Sequence, residues 1–178
     1  MNERLTIITG GQTGVDRGAL RGAIDAGFAV GGYMPKNGCD EDGPIPAEIA
    51  KHLVRCPLPG YSARTATNLD MAEALLIIVV DAEDPLATPG TRMTWEGAQL
   101  RKIPRMVVDP ASAVEPFVNL LFHWARRKSV TKLMVAGPRA SKWTNGEYEA
   151  AAFLRKLGVL LALKKDQIDV AHRNPASR

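Results

Sequence analysis

Cysteine is almost missing from this chain, with only Cys39 and Cys56 among 178 residues. Neither sits in a CxxC pair, and the three histidines, His52, His123 and His172, stand far apart. The clustered spacing that a structural metal or a disulfide framework needs is therefore absent, and no metal site is expected. Aromatic residues make up 6% of the chain, and no Lys/Arg-rich run is interleaved with them, so nucleic acid is not favoured as a partner. Long apolar runs are lacking as well. The longest, residues 74–80, falls well short of the ~20 residues a membrane helix requires. The stretch after Arg4 is broken by Thr6 and ends at Thr9 and Gly10, which is too little for a secretory signal. The expected location is the cytoplasm.

What remains is ordinary globular material, 46% hydrophobic and 24% charged, without repeats or low-complexity segments. The length fits one core, read here as a single domain over residues 1–164 with a polar tail over 165–178. Twenty-three basic against 19 acidic residues leave a net charge of +4, which suits an anionic partner without identifying one.

Strand and helix patterns alternate along the chain. Residues 4–9 are a β-branched stretch that runs into Gly10-Gly11-Gln12-Thr13-Gly14. A helical face of Val15, Ala19, Leu20, Ala23, Ile24 and Phe28 follows. A second strand is expected over 28–33, a long loop over 34–46 and a short helix over 47–54. A helix over 64–73 then leads into a strand without polar alternation, Leu75 to Asp81, of the kind covered on both faces of a parallel sheet. Helices are expected after Gly90, from Val114 to Trp124 and from Ala150 to Leu161, with strands at 105–109 and 132–136. This alternation predicts an α/β fold of Rossmann-like, three-layer α/β/α type, with a mainly parallel sheet of five or more strands and right-handed crossovers. Ligands of such folds lie in a crevice outside the carboxyl ends of the strands.

Polar residues that follow strand ends are thus the candidates for chemistry. The first group is Gly10 to Asp16. Glycines there let a phosphate approach the backbone, and the N–H groups opening the next helix would face it. On this reading Gly11→Val abolishes binding and spares the fold. Asp16 stands in the first helical turn, where it is either a helix-start residue or a ligand for a ribose hydroxyl, an amino group or a metal-bound water. Lys36 and Asp42 lie in the proline-stiffened loop, beside Asp40 and Glu41, which read as solvated. Gly90 and Thr91 open another helix, with Thr91 as a possible N-cap, and Arg139 follows the last strand. Arg64, Thr65 and Asn68 share a helix face, and either arginine could clamp a phosphate. All strand-end groups are expected to face one crevice. The turn is neither a Walker A loop nor GxGxxG, so ATP hydrolysis and NAD chemistry are disfavoured. No nucleophile with an adjacent base is visible; Asp16, Asp42 and Glu96 are the remaining acid-base candidates.

Taken together, GGQTGVDRGAL at 10–20, GGYMPKNGCDEDGPIP at 31–46, RTATN at 64–68, PGTRMT at 89–94 and VAGPRAS at 135–141 closely resemble the YpsA-related SLOG family, many of whose members are labelled molybdenum carriers. The resemblance runs from Leu5 to Ser141. It implies a Rossmann-like fold, homo-oligomers and a pocket for a nucleotide-like or pterin-phosphate ligand, with the molybdenum cofactor as the named cargo. The binding residues it implies are Gly10, Gly11, Gln12, Thr13, Gly14, Asp16, Lys36, Asp42, Arg64, Asn68, Gly90, Thr91 and Arg139. The distantly related LOG phosphoribohydrolases cleave nucleoside monophosphates at the N-glycosidic bond and carry a PGGxGTxxE pattern. Here Thr94 stands in the place of their glutamate, and Glu96 lies two positions on, about 200° round a helix. Met71 and Glu73 stand where the family commonly has aspartates.

Overall fold

The computed structural model describes residues 5–80, 84, 86–111, 114–127 and 130–173. Strand β1 (Thr6–Ile8) leads through the glycine turn into α1 (Val15–Asp25), and β2 (Ala29–Gly31) follows. Short pieces come next: β3 (Tyr33–Met34), β4 (Cys39–Asp40), β5 (Gly43–Pro44), α2 (Ala47–Ala50) and β6 (Val54–Arg55). The chain then alternates through α3 (Tyr61–Met71), β7 (Ala74–Ile78), α4 (Pro89–Leu100), β8 (Arg105–Val108), α5 (Glu115–Arg127), β9 (Lys132–Ala136) and α6 (Gly146–Arg173).

Five strands form a parallel sheet in the order β2-β1-β9-β7-β8. Thr6 pairs with both Ala29 and Lys132, and Leu75 with both Arg105 and Met134. If β9 and α6 preceded β1 in the chain, the order would read 3-2-1-4-5, the doubly wound arrangement. The strand that belongs first in the sheet thus comes last in sequence.

Every residue of β7 is buried because its two faces meet two helix layers. Leu76 and Ile78 pack with residues of α1, α5 and α6, and Leu75 and Ile77 with residues of α3 and α4. Helices α1 and α6 touch closely at small residues. A Cβ on Gly18 would lie 2.1 Å from the Glu147 carbonyl oxygen, and one on Gly22 2.4 Å from that of Ala151. A smaller cluster of Leu20, Met34, Ile45, Ile49 and Leu53 seats α2 beside the glycine turn.

Three expectations change. The single strand over 28–33 is divided at Gly32, whose φ of +129° turns the chain away from the sheet, so that Tyr33 and Met34 pair with β6 instead. Within the stretch read as loop, β4 and β5 form an antiparallel hairpin. Helix α6 continues through Arg173 rather than giving way near Lys164, since residues 159–173 contain no glycine or proline to stop it. Among the described residues, no helix is long and apolar enough to cross a membrane.

Candidate functional site

At the carboxyl ends of β1 and β9 lies a cavity of about 280 Å³, roofed by α3 and the first turn of α4. In the doubly wound order, β9 and β7 flank the point where strand order reverses, which is where such folds hold ligands. Gln12 and Asp16 reach the cavity from the turn after β1, and Gly137, Arg139 and Lys142 from the loop after β9. Tyr61, Arg64 and Thr65 come from α3, and Thr88, Gly90, Thr91, Met93 and Thr94 from the start of α4.

Asp16 is buried, and one of its carboxylate oxygens, Oδ2, is held from three sides. It accepts from the N–H of Gly10 at 3.2 Å and of Gln12 at 3.4 Å, and Nη1 of Arg64 stands 3.5 Å away. Its other oxygen has no partner among the described residues. Burial pushes the Asp16 carboxyl above its usual range, and Arg64 and the two N–H groups pull it only part of the way back. Arg64 is 7% exposed. Asp16 is its one acidic partner among the described residues, and its Nε has no hydrogen bond; Nε2 of Gln12 is likewise buried without an acceptor. Two orphaned donors at one cavity are unusual, because buried polar groups in folded proteins are nearly all satisfied.

The glycines of the opening turn serve a different purpose from the one their pattern suggests. A Cβ on Gly10 would lie 1.9 Å from Arg64 Nη1, one on Gly11 2.4 Å from Leu53 Cδ1, and one on Gly14 2.6 Å from the Pro138 carbonyl oxygen. Each glycine makes room for another part of the protein. The turn's Gly10 and Gln12 donors already hold Asp16, so the protein supplies its own anion where a phosphate was expected. Gly90 is the contrary case. It lines the cavity, and nothing lies within 4 Å of where its Cβ would be.

Thr88, rather than Thr91, caps α4. Its Oγ1 accepts from the Thr91 N–H at 3.3 Å, and Pro89 takes the first helical position. The buried Thr91 and Thr94 side chains are thereby turned to the cavity wall.

The proline-stiffened loop divides against expectation. Asp40, read as solvated, has a fully buried side chain paired with Arg17 of α1, and its Oδ1 accepts from the Asp42 N–H at 2.9 Å. Glu41, also read as solvated, accepts from the Thr13 hydroxyl and from the N–H and hydroxyl of Ser141, with Arg139 Nε at 3.2 Å. Partial burial opposes the charge on Glu41, but the bonds from Ser141 and Thr13 and the charge of Arg139 outweigh it and hold the carboxyl below its ordinary value. Thr13 in turn accepts from the Ala140 N–H at 3.1 Å. Glu41 therefore ties the hairpin loop, the glycine turn and the loop after β9 together, with Arg139 at the cavity edge. Lys36 and Asp42, the favoured pair, lie outside the cavity; both are exposed, and Lys36 lines a neighbouring one. Three of the four strand-end groups converge, not all four.

Asn68 is fully buried and spent on backbone. Its side-chain oxygen accepts from the Tyr33 N–H at 2.7 Å, and its amide donates to the Tyr33 carbonyl at 3.0 Å. Glu96 is exposed on α4 and does not reach the cavity. Tyr61, Met93 and Lys142 line it without having been singled out. Lys142 lies further past β9 than the residues chosen by their closeness to a strand end, and Tyr61 opens α3 on the side away from its strand. Among the described residues, no group of three or more His, Cys, Asp and Glu is placed to hold a metal ion.

Residues 7–158 match the model of the circularly permutated YpsA SLOG family, in agreement with the displaced position of β9. A crystal structure at 1.45 Å from Syntrophus aciditrophicus SB, described as a "Putative molybdenum carrier protein", is 30% identical; the match covers 88% of this chain and 96% of that one with a TM-score of 0.74. No curated protein matches the chain. On its fold, its strand order and this match across most of its length, the chain belongs to the circularly permuted YpsA SLOG family.

Proposed function

We propose that the cavity takes a small phosphorylated ligand and that the protein carries it rather than transforms it, with the molybdenum cofactor, a pterin bearing a phosphate, as the cargo. Arg64 carries this reading. Its side chain is nine-tenths buried, lines the cavity, and meets a carboxylate only at 3.5 Å. Each hydrogen bond left unmade on a buried group costs about 1–3 kcal/mol, and an anion in the cavity would supply the missing acceptors. Gln12 Nε2, the N–H of Gly90, Thr91, Arg139 and Lys142 would complete its surroundings. A nucleotide-like ligand with the same phosphate would use the same groups. The description of the Syntrophus neighbour favours a molybdenum-related cargo. Carriage is preferred to catalysis because, among the described residues, no cavity-lining hydroxyl is hydrogen-bonded to a carboxylate or imidazole that could activate it.

Isothermal titration of molybdopterin, its molybdenum-loaded form and nucleoside monophosphates tests this reading. Binding to at least one ligand, weakened about tenfold or more in Arg64→Ala, is the expected result. No heat from any of them overturns it.

A second reading, N-glycosidic hydrolysis of nucleoside monophosphates, rests on Asp16. Of the three acid-base candidates it alone lines the cavity, and its carboxyl is raised by burial as a general acid or base requires. It requires release of free base that disappears in Asp16→Asn; no turnover above buffer removes it.

A further inference from the structure

Beside the first cavity lies a second, of about 240 Å³, and Tyr61 lines both. Its other walls are Pro35, Lys36, Asn37, Pro59 and Gly60. With Tyr61 they provide one cation, one amide and three ring surfaces, and no carboxylate. The loop bearing Lys36 is fixed at three points. The Gly38 N–H donates to the Pro35 carbonyl at 2.9 Å, the Cys39 N–H to the Asn37 side chain at 3.1 Å, and Arg55 Nη1 to the Lys36 carbonyl at 3.1 Å. The backbone is held while the Lys36 ammonium has no acidic partner among the described residues. Gly60 leaves the start of α3 without a side-chain cap, and space stands open where its own side chain would be. Arg64, three residues beyond Tyr61 on the same helix face, stands in the first cavity. One half-exposed ring thus separates two positively charged hollows.

We infer that the two hollows are halves of one site, and that its ligand is two-headed: two small groups joined through a diphosphate that lies across Tyr61, with one phosphate towards Arg64 and the other towards Lys36. The inference rests on the reading of the first cavity as an anion site. By itself that cavity lies just below the range of ligand pockets, ~300–1,000 Å³, whereas the pair falls within it.

Isothermal titration of nucleoside 5′-monophosphates against the matching symmetrical dinucleoside diphosphates tests the inference. The diphosphates are expected to bind about tenfold more tightly, the scale of one charge-assisted contact. Lys36→Ala is expected to bring that ratio near one, Lys36→Arg to restore most of it, and Lys51→Ala, on the exposed end of α2, to leave it. Equal affinities in the wild type, or a ratio indifferent to Lys36→Ala, overturn the two-headed site while Arg64-dependent monophosphate binding still stands. Absence of binding by both classes overturns the two-headed site, and the first cavity's reading falls with it only if molybdopterin and its molybdenum-loaded form give no heat either.

Discussion

Gly10 and Gly11 are neighbours, yet the same added methyl group would act on them in opposite ways. At Gly10 it meets the far end of Arg64, a flexible side chain that can move. Gly10→Ala is expected to keep its melting temperature within a few degrees while losing ligand affinity, because the guanidinium is displaced. At Gly11 the methyl meets Leu53 in a packed cluster, at a φ of +72°. Gly11→Ala is expected to lose about 1–3 kcal/mol of stability, read from urea midpoints, whether or not ligand is present. Glu73 makes a different kind of prediction. It accepts from the N–H groups of Thr131 at 2.6 Å and Lys132 at 3.0 Å and from the Thr131 hydroxyl at 3.1 Å. Partial burial works against its charge, but these bonds and the charge of Lys132 keep its carboxyl below the ordinary 4.5. A folded value below the unfolded one gives stability that is complete above about pH 4.5 and vanishes as pH falls through the lower value. Wild type should exceed Glu73→Gln in urea midpoint near neutral pH and converge with it in acid; a gap that persists in acid would contradict the assignment. Gln12, Asp16, Gly90, Thr91 and Arg139 could be placed at the cavity from sequence because strand ends mark the crevice, and Arg64 because it shares a helix face with Thr65. Asp40 and Glu41 could not, since three adjacent acids look solvated until the hairpin register settles which of them turn inward.

At the scale of elements, the cap of α4 holds the cavity's roof. Thr88→Ala removes the acceptor of the Thr91 N–H and is expected to cost about 1 kcal/mol, with Thr88→Ser regaining most of it; equal midpoints for all three proteins would contradict the cap. Helices α1 and α6 meet through Gly18 and Gly22 against backbone, which cannot yield as a side-chain tip can. Gly18→Leu is expected to lower the melting temperature far more than Gly97→Leu, whose nearest neighbour is the end of the Leu69 side chain. Periodicity sufficed for α1, α5, β7 and β9, because each has a face or a full width to bury. It failed for β3 to β6, whose two-residue strands contain less than one repeat of any pattern, and for the far end of α6, where propensity continues a helix after its apolar face has thinned.

For the whole molecule, layer architecture follows from alternation, but strand order does not. Nothing local in Lys132 to Ala136 announces that these residues pair with both β1 and β7, because pairing partners are chosen by packing between distant segments. A chain ending at residue 129 is expected to show no cooperative thermal transition, whereas the full chain melts in one; a sharp melt from the shortened protein would show that the remaining strands make a sheet of their own. The late arrival of β9 also has a consequence during synthesis. Until Lys132 to Ala136 emerge from the ribosome, β1 and β7 each expose the edge that β9 will fill, and unpaired edges recruit other strands. Between the emergence of β8 and that of β9 the nascent protein therefore stands as two unjoined half-sheets, the period in which a chaperone has the most to protect.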